Sequence, residues 1–340
     1  MRRILSKCVL LGLAILSAGC AQTRQAIGPA LSEPRLSAEA AIMADGAVLP
    51  LQTWLPQDRE LQGVFIGVHG MNDYSGAFAL PGPFFAGQGY GLYAYDQRGF
   101  GAAPRPGIWA GHRAMTDDLK VVAGLVADRH PGVPIYLLGL SMGGGVSLLA
   151  IDASGPKALH PAVEGAVLVA PAVWGWRTMN PFYRVSLWSA SKIAPGKTLS
   201  GSRLEIWPSD NIDVLRALSR DPLVIKETRV DAISGLVSLM DEAYGSPAEA
   251  GRPVLMLYGK KDEIIPRRPI ETVSRRLPCS ARFAEYANGF HMLLRDKQRE
   301  RVWRDILAWA AAPGEPLPSG EMRPHPNPDC AAAELGLAAR

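Results

Sequence analysis

The sequence predicts an α/β fold, a mostly parallel sheet with helices on both faces and an inserted helical lid. Three observations carry this. Short apolar runs rich in β-branched and aromatic residues recur at Gly63–Val68, Tyr90–Asp96, Pro134–Leu140, Gly165–Pro171, Pro253–Gly259 and Ala281–Tyr286, and each suits a buried strand. Segments with helical character fall between them, and strands alternating with helices make a parallel sheet. From Ala172 to about Ser246 the alternation breaks. Trp174, Trp176, Phe182, Tyr183, Trp188 and Trp207 lie there among scattered prolines, and that stretch reads as the lid.

The first twenty residues read as a signal peptide. Arg2, Arg3 and Lys7 form a basic start, Val9–Leu16 an apolar core, and Ser17-Ala18-Gly19 a small-residue run before Cys20. The apolar core is too short for a good spanning helix. Ala-Gly-Cys at this place resembles a bacterial lipobox, although Ser17 stands where that motif usually has Leu. The resemblance implies lipidation of Cys20 and a membrane anchor in the cell envelope. With Ala21 where an Asp would retain the protein at the inner membrane, the resemblance implies, as in some bacteria, sorting to the outer one. The alternative is an ordinary secretory signal cleaved near Ala18 or Ala21.

Export gives the remaining composition its meaning. Loss of Arg2, Arg3 and Lys7 with the leader takes the formal net charge from +4 to +1, which leaves no basic footprint for nucleic acid. Cys279 and Cys330 then remain as an even pair in an oxidising compartment. They are expected to form a disulfide that ties the tail to the body; two free thiols are the alternative.

Residues 21–38 are polar, with Gly, Pro and Ser, and read as a tether. The folded domain spans 39–312. It opens with a hairpin, Ala41–Ala44 and Leu49–Leu55, turning at Asp45-Gly46. The helix expected over 76–88 is irregular because of Pro81 and Pro83. The next helix, Thr116–Arg129, places Leu119, Val122, Leu125 and Val126 at helical spacing, with Asp117 and Asp118 in its first turn. Another helix follows Ser141, where Gly144 and Gly145 would let it approach the sheet. Arg267–Leu277 is a helix, as is Arg299–Ala311, whose Val302, Ile306 and Trp309 share a face. Residues 313–340 are rich in Pro and Ala and read as a disordered tail apart from Cys330.

In a parallel sheet, functional groups belong at the carboxyl ends of strands. Gly139-Leu140-Ser141-Met142-Gly143 joins a strand to a helix there. Glycines around a serine at such a turn let the chain expose the hydroxyl, and the Met142 amide at the helix start faces a developing oxyanion. A serine nucleophile needs a base, and the base needs an acid to set its tautomer. His291, in the loop Asn288-Gly-Phe-His291, is the candidate base, since His160 lies in a surface-like loop and His325 in the tail. Asp262, in Tyr258-Gly-x-x-Asp262, is the candidate acid. The Met71 amide after His69-Gly70 is the second oxyanion donor, with His69 holding the loop. Asp96-Gln-Arg98-Gly99-Phe-Gly101 lacks the spacing of a phosphate loop and reads as a structural turn. No Cys/His cluster has metal-ligand spacing, so neither metal nor cofactor is expected.

These motifs, with Ser219-Arg-Asp221-Pro222, are similar to those of the monoacylglycerol lipase and lysophospholipase branch of the α/β hydrolases, over roughly Ala40–Ala311. The resemblance implies an α/β-hydrolase fold and a Ser141, Asp262 and His291 triad, with the Met71 and Met142 amides as the oxyanion hole. It further implies hydrolysis of lipid-like carboxylic esters, monoacylglycerol or lysophospholipid, through an acyl-enzyme. Leu140 stands where that branch often has His, and Ala102 where its glycine turn often continues to Ser. The same triad also serves peptidases, thioesterases and acyltransferases. A non-catalytic envelope lipoprotein on this scaffold is the remaining alternative, and a missing triad member would have favoured it.

Overall fold

The computed structural model describes residues 23–152, 158–201, 205–246 and 252–334. The signal peptide, Cys8 and Cys20 lie outside the described residues. The main sheet takes β1 (Arg35–Leu36), β2 (Ala40–Ile42), β3 (Val48–Trp54), β4 (Gly63–Val68), β5 (Tyr90–Tyr95), β6 (Ile135–Leu140) and β7 (Val163–Val169). Past an inserted pair, β8 (Thr198–Ser200) and β9 (Glu227–Arg229), come β10 (Val254–Gly259), β11 (Arg282–Tyr286) and β12 (Met322–Arg323). The spatial order is β1-β2-β3-β5-β4-β6-β7-β10-β11-β12. Strands β5 through β11 in that order run parallel, and the edges are antiparallel. Every residue of β4, β5 and β10 is buried, as expected where helices cover both faces and no polar face alternates.

The helices are α1 (Pro81–Gly87), α2 (His112–Arg129), α3 (Met142–Ile151), α4 (Pro181–Ile193), α5 (Ile212–Arg220), α6 (Val230–Gly245), α7 (Arg267–Ser274), α8 (Arg299–Ala311) and α9 (Pro328–Glu334). One core packs α2, α3, α6 and α7 on the sheet, and a second packs α1 and α8 on the other face. Val302, Ile306 and Trp309 of α8 are fully buried, each stabilising the fold by roughly 1.5–3 kcal/mol.

Residues 21–38, read as a tether, are in part fixed to the body, since β1 pairs with β2 and buried Gln25 donates its N–H to the Trp109 carbonyl at 3.0 Å. Four further details differ from the sequence reading. The helix expected at Thr116 begins at His112, after Gly111 at φ +97°. The helix over 76–88 splits into a 3₁₀ turn, Ser75–Phe78, and α1, which starts on Pro81, where proline's missing N–H costs nothing. The third concerns the insertion, which is not all lid. Its last helix, α6, buries Val237, Leu239 and Ala243 in the core. The fourth is the tail, which is ordered through residue 334. β12 pairs with β11, Ser319 donates its N–H to Asp305 at 2.9 Å, and Leu317 and His325 are buried. Cys279 and Cys330 are joined by a disulfide, their Cα atoms 5.0 Å apart. Composition suggested disorder, but a few burying side chains and an open sheet edge are enough to fix the segment.

The Asp96–Gly101 turn is structural. Asp96 accepts the amides of Ser75 and Ala102, both at 2.8 Å. Buried Arg98 forks between Asp45 at 2.6 and 2.9 Å and Asp118 at 2.6 and 3.1 Å. It thereby ties the first hairpin to α2, and the guanidinium holds the Asp45 carboxyl down at about 2. Arg98→Met leaves both carboxylates without their cation, and a loss of about 3–5 kcal/mol in unfolding free energy is expected in urea titration. An unchanged midpoint would show that the network contributes nothing net.

Candidate active site

Ser141 is the residue on which β6 turns into α3. Its φ of +51° and ψ of −112° are costly for a residue with a Cβ, on the order of 1–3 kcal/mol. The surroundings enforce them. Ser141 donates its N–H to the Val169 carbonyl at 2.9 Å, and its own carbonyl accepts from Ala172 at 2.8 Å and Gly145 at 3.1 Å. The flanking glycines are required by contact. A Cβ at Gly143 would lie 1.9 Å from the Val68 oxygen, and one at Gly139 2.4 Å from the Gly143 oxygen. Gly145 does not face the sheet as expected. Its Cβ would meet Leu239 of α6 at 2.7 Å, so the glycine run serves two interfaces.

Asp262 and His291 follow β10 and β11. Asp262 Oδ1 accepts the amides of Ile264 and Ile265 at 2.8 and 3.0 Å. That leaves Oδ2 to accept from His291 Nδ1 at 2.8 Å. The Asp262 side chain is fully buried and that of His291 is 10% exposed. An ionised carboxylate only accepts, so Nδ1 is the nitrogen that donates to Asp262. Neighbouring Glu263 turns away to accept the Trp207 amide at 3.0 Å. Ser141 and His291 line the same cavity, with no direct hydrogen bond between them.

The loop after β4 passes beside the serine. A Cβ built at Gly70 would lie 3.4 Å from Ser141 Cβ. Met71, next in the chain, lines the cavity with Ser141. Met142 is the first residue of α3, where helix geometry provides its amide no partner. His69 stays out of the cavity. Its Nε2 accepts the Gln97 amide at 3.0 Å, so Nδ1 carries the proton and donates to the Gly70 carbonyl at 2.8 Å. Burial lowers the pKa of His69 below its usual 6.5, and the neutral ring fixes the turn that presents Met71.

The cavity has a volume of about 500 Å³. Trp174, Met179, Leu187, Leu236 and Met240 of the insertion make much of its wall. Polar Asn72, Asp73 and Arg295 also line it. Asp73 and Arg295 are paired at 2.8 Å. A more open cleft of about 800 Å³ beside α2 and α6 contains none of these residues. No cluster of metal-ligating side chains occurs among the described residues.

Sequence reasoning missed Asp73, Arg295 and Asp296. Asp296 is fully buried and accepts the Phe290 amide at 2.8 Å, beside His291. The available signal was a charged pair, Arg295-Asp296, directly after the apolar Met292–Leu294.

This fold and this arrangement are those of a serine hydrolase of the α/β-hydrolase class. Residues 59–298 match the family described as serine aminopeptidase, S33 (Hydrolase_4), and the chain belongs to that family. It is similar to a monoacylglycerol lipase of Mycolicibacterium smegmatis, 26% identical over 278 residues, covering 78% of this chain and 93% of that protein. A monoglyceride lipase of Homo sapiens is 30% identical over 134 residues, 39% of this chain and 42% of its own. Among solved structures, a soluble variant of monoglyceride lipase from Saccharomyces cerevisiae shares the fold with a TM-score of 0.67 at 20% identity, over 83% of this chain and 98% of that one. The monoacylglycerol lipase of Paleococcus ferrophilus does so with a TM-score of 0.64 at 22% identity, over 78% and 98%.

The His69 geometry sets a pH dependence. Because the folded state disfavours the charged ring, the unfolded chain binds the proton more readily below pH 6.5. The stabilisation by neutral His69 is complete above that pH and is lost as pH falls through the window below it. His69→Gln keeps an acceptor for Gln97 but cannot titrate. Urea unfolding of this variant should show a smaller loss between pH 7.5 and 5 than the wild type. Equal losses would assign the acid sensitivity to other groups.

Proposed function

We propose that this protein is an exported, lipid-anchored serine hydrolase that cleaves carboxylic esters of lipid-like substrates, monoacylglycerol or lysophospholipid. The observation that carries the substrate class is the cavity. Ser141 and His291 line it together with apolar side chains of the insertion and of the body, which suits an acyl chain. Exposed Phe182, Trp188 and Ile193 on α4 suit contact with a lipid surface. The names of the relatives support the same class. A free ammonium, as in an aminopeptidase substrate, would need a spare carboxylate. Among the described residues lining the cavity Asp73 is the one carboxylate, and Arg295 already holds it.

In the proposed reaction Ser141 Oγ attacks the ester carbonyl while His291 Nε2 takes its proton. Asp262 stabilises the imidazolium, and the Met71 and Met142 amides bind the oxyanion. His291 returns the proton to the departing alcohol, and water, activated by the same ring, releases the fatty acid. Ser141→Ala should lower kcat by at least about a thousandfold. A panel of short and long p-nitrophenyl esters, monoacylglycerol, lysophosphatidylcholine and an aminoacyl amide tests the class. Ser141-dependent preference for the lipid monoesters is expected, and preference for the amide would overturn the reading.

The anchor is Cys20 in this proposal, supported by the lipobox resemblance. The Cys279–Cys330 disulfide suits an oxidising compartment. Metabolic labelling with radioactive palmitate should mark the wild type and not Cys20→Ala, which should move from the membrane fraction to the soluble one. An unlabelled wild type recovered as a soluble protein would replace the anchor with a cleaved secretory signal.

A further inference from the structure

Two short segments of the insertion grip the two loops of the active site. Residues 207–211 hold the His291 side. There Trp207 donates its N–H to Glu263, Ser209 Oγ–H donates to Asp296 at 2.6 Å, and Asn211 Nδ2 donates to the Arg295 carbonyl at 2.9 Å. The Pro208 carbonyl accepts the Met292 amide at 2.9 Å. Residues 221–228 hold the other side, the loop that carries Met71. Tyr74 donates its hydroxyl to Asp221 Oδ2 at 2.7 Å. Asn72 Nδ2 donates to Thr228 Oγ1 at 2.6 Å, and the Asn72 carbonyl accepts the Ile225 amide at 3.0 Å.

Between the two grips lies α5, which buries none of its residues. With no core of its own, its place is set by its ends. The turn at its end is braced locally. Leu223 donates its amide to Asp221 Oδ1 at 2.9 Å, and Lys226 Nζ donates to the carbonyls of Asp221 and Leu218. Asn72 has a φ of +64°, and the insertion binds both its side chain and its backbone. Burial and the Asp221 carboxylate push the Tyr74 hydroxyl up to about 12, so it remains a donor.

We infer that Thr228 and Asp221, acting through Asn72 and Tyr74, are positioning residues for the Met71 amide, so that the seated insertion completes the oxyanion site. This rests on Ser141 acting as the nucleophile. Thr228 does not line the acyl cavity, so its effect falls on the transition state and extends to a substrate too small to reach the lid.

The test is steady-state hydrolysis of p-nitrophenyl acetate by the full chain, with thermal midpoints as a check on folding. A misplaced donor acts on rate rather than on binding, so Thr228→Val should lower kcat about tenfold with KM changed less than about twofold. Fluorophosphonate labelling should slow in parallel. Thr228→Ser, which keeps the hydroxyl, should restore both. Tyr74→Phe removes the second tie and gives an independent reading if Thr228→Val unfolds. Unchanged kcat in both variants overturns the inference, as does a rise in KM alone, which would make the segment a substrate-binding element. A wild type that neither turns over esters nor labels would overturn the hydrolase reading itself.

Discussion

The close approach of α3 to the ends of β4 and β6 is the constraint from which the site follows. With 1.9 Å between a Gly143 Cβ and the Val68 oxygen, no other residue fits without moving a strand in the middle of the parallel sheet. The same approach forces Ser141 into its positive φ and aims the first amides of α3 across the sheet end. Ser141 and the Met142 amide, the proposed nucleophile and oxyanion donor, thus share a single packing contact. The central strands that hold it are buried on both faces, so the strain at Ser141 is opposed by much of the core.

The parts of the fold that were legible in the sequence share a physical cause. Doubly covered strands must be continuously apolar, so β4, β5, β6 and β10 stand out in a linear reading. Asp262 follows β10 and His291 follows β11 in short loops, which puts them in one region once the sheet is parallel. Helix α6 was less legible, because a helix packing an insertion onto the core and a helix forming a lid are amphipathic in the same way. The tail was misread because composition averages over residues. Leu317, His325 and Cys330 anchor it, and its many prolines do not prevent two residues from pairing with β11. The least legible features are the hydrogen bonds between the insertion and the body. Asn72 and Thr228 are 156 positions apart and Ser209 and Asp296 are 87 apart, and none of these residue types is unusual in a loop.

Charge is arranged in the same closed way. Asp262 is matched to His291, Asp73 to Arg295, and Arg98 to Asp45 and Asp118, while His69 is kept neutral by burial. Buried charges are tolerated when each has its partner and hydrogen bonds.

The insertion therefore cannot be treated as a cover laid over a finished active site. Leu187 on α4 faces the cavity while Trp188, the next residue, is 60% exposed, so one helix separates the acyl cavity from the surroundings. Residues 207–211 and 221–228 reach past that wall to the loops holding His291 and Met71. A displacement of α4 changes what the cavity accepts. The segments on either side of α5 make the hydrogen bonds to those two loops. The cavity wall and the contacts to these loops thus come from neighbouring parts of one insertion, whose α6 is fixed in the core against Gly145.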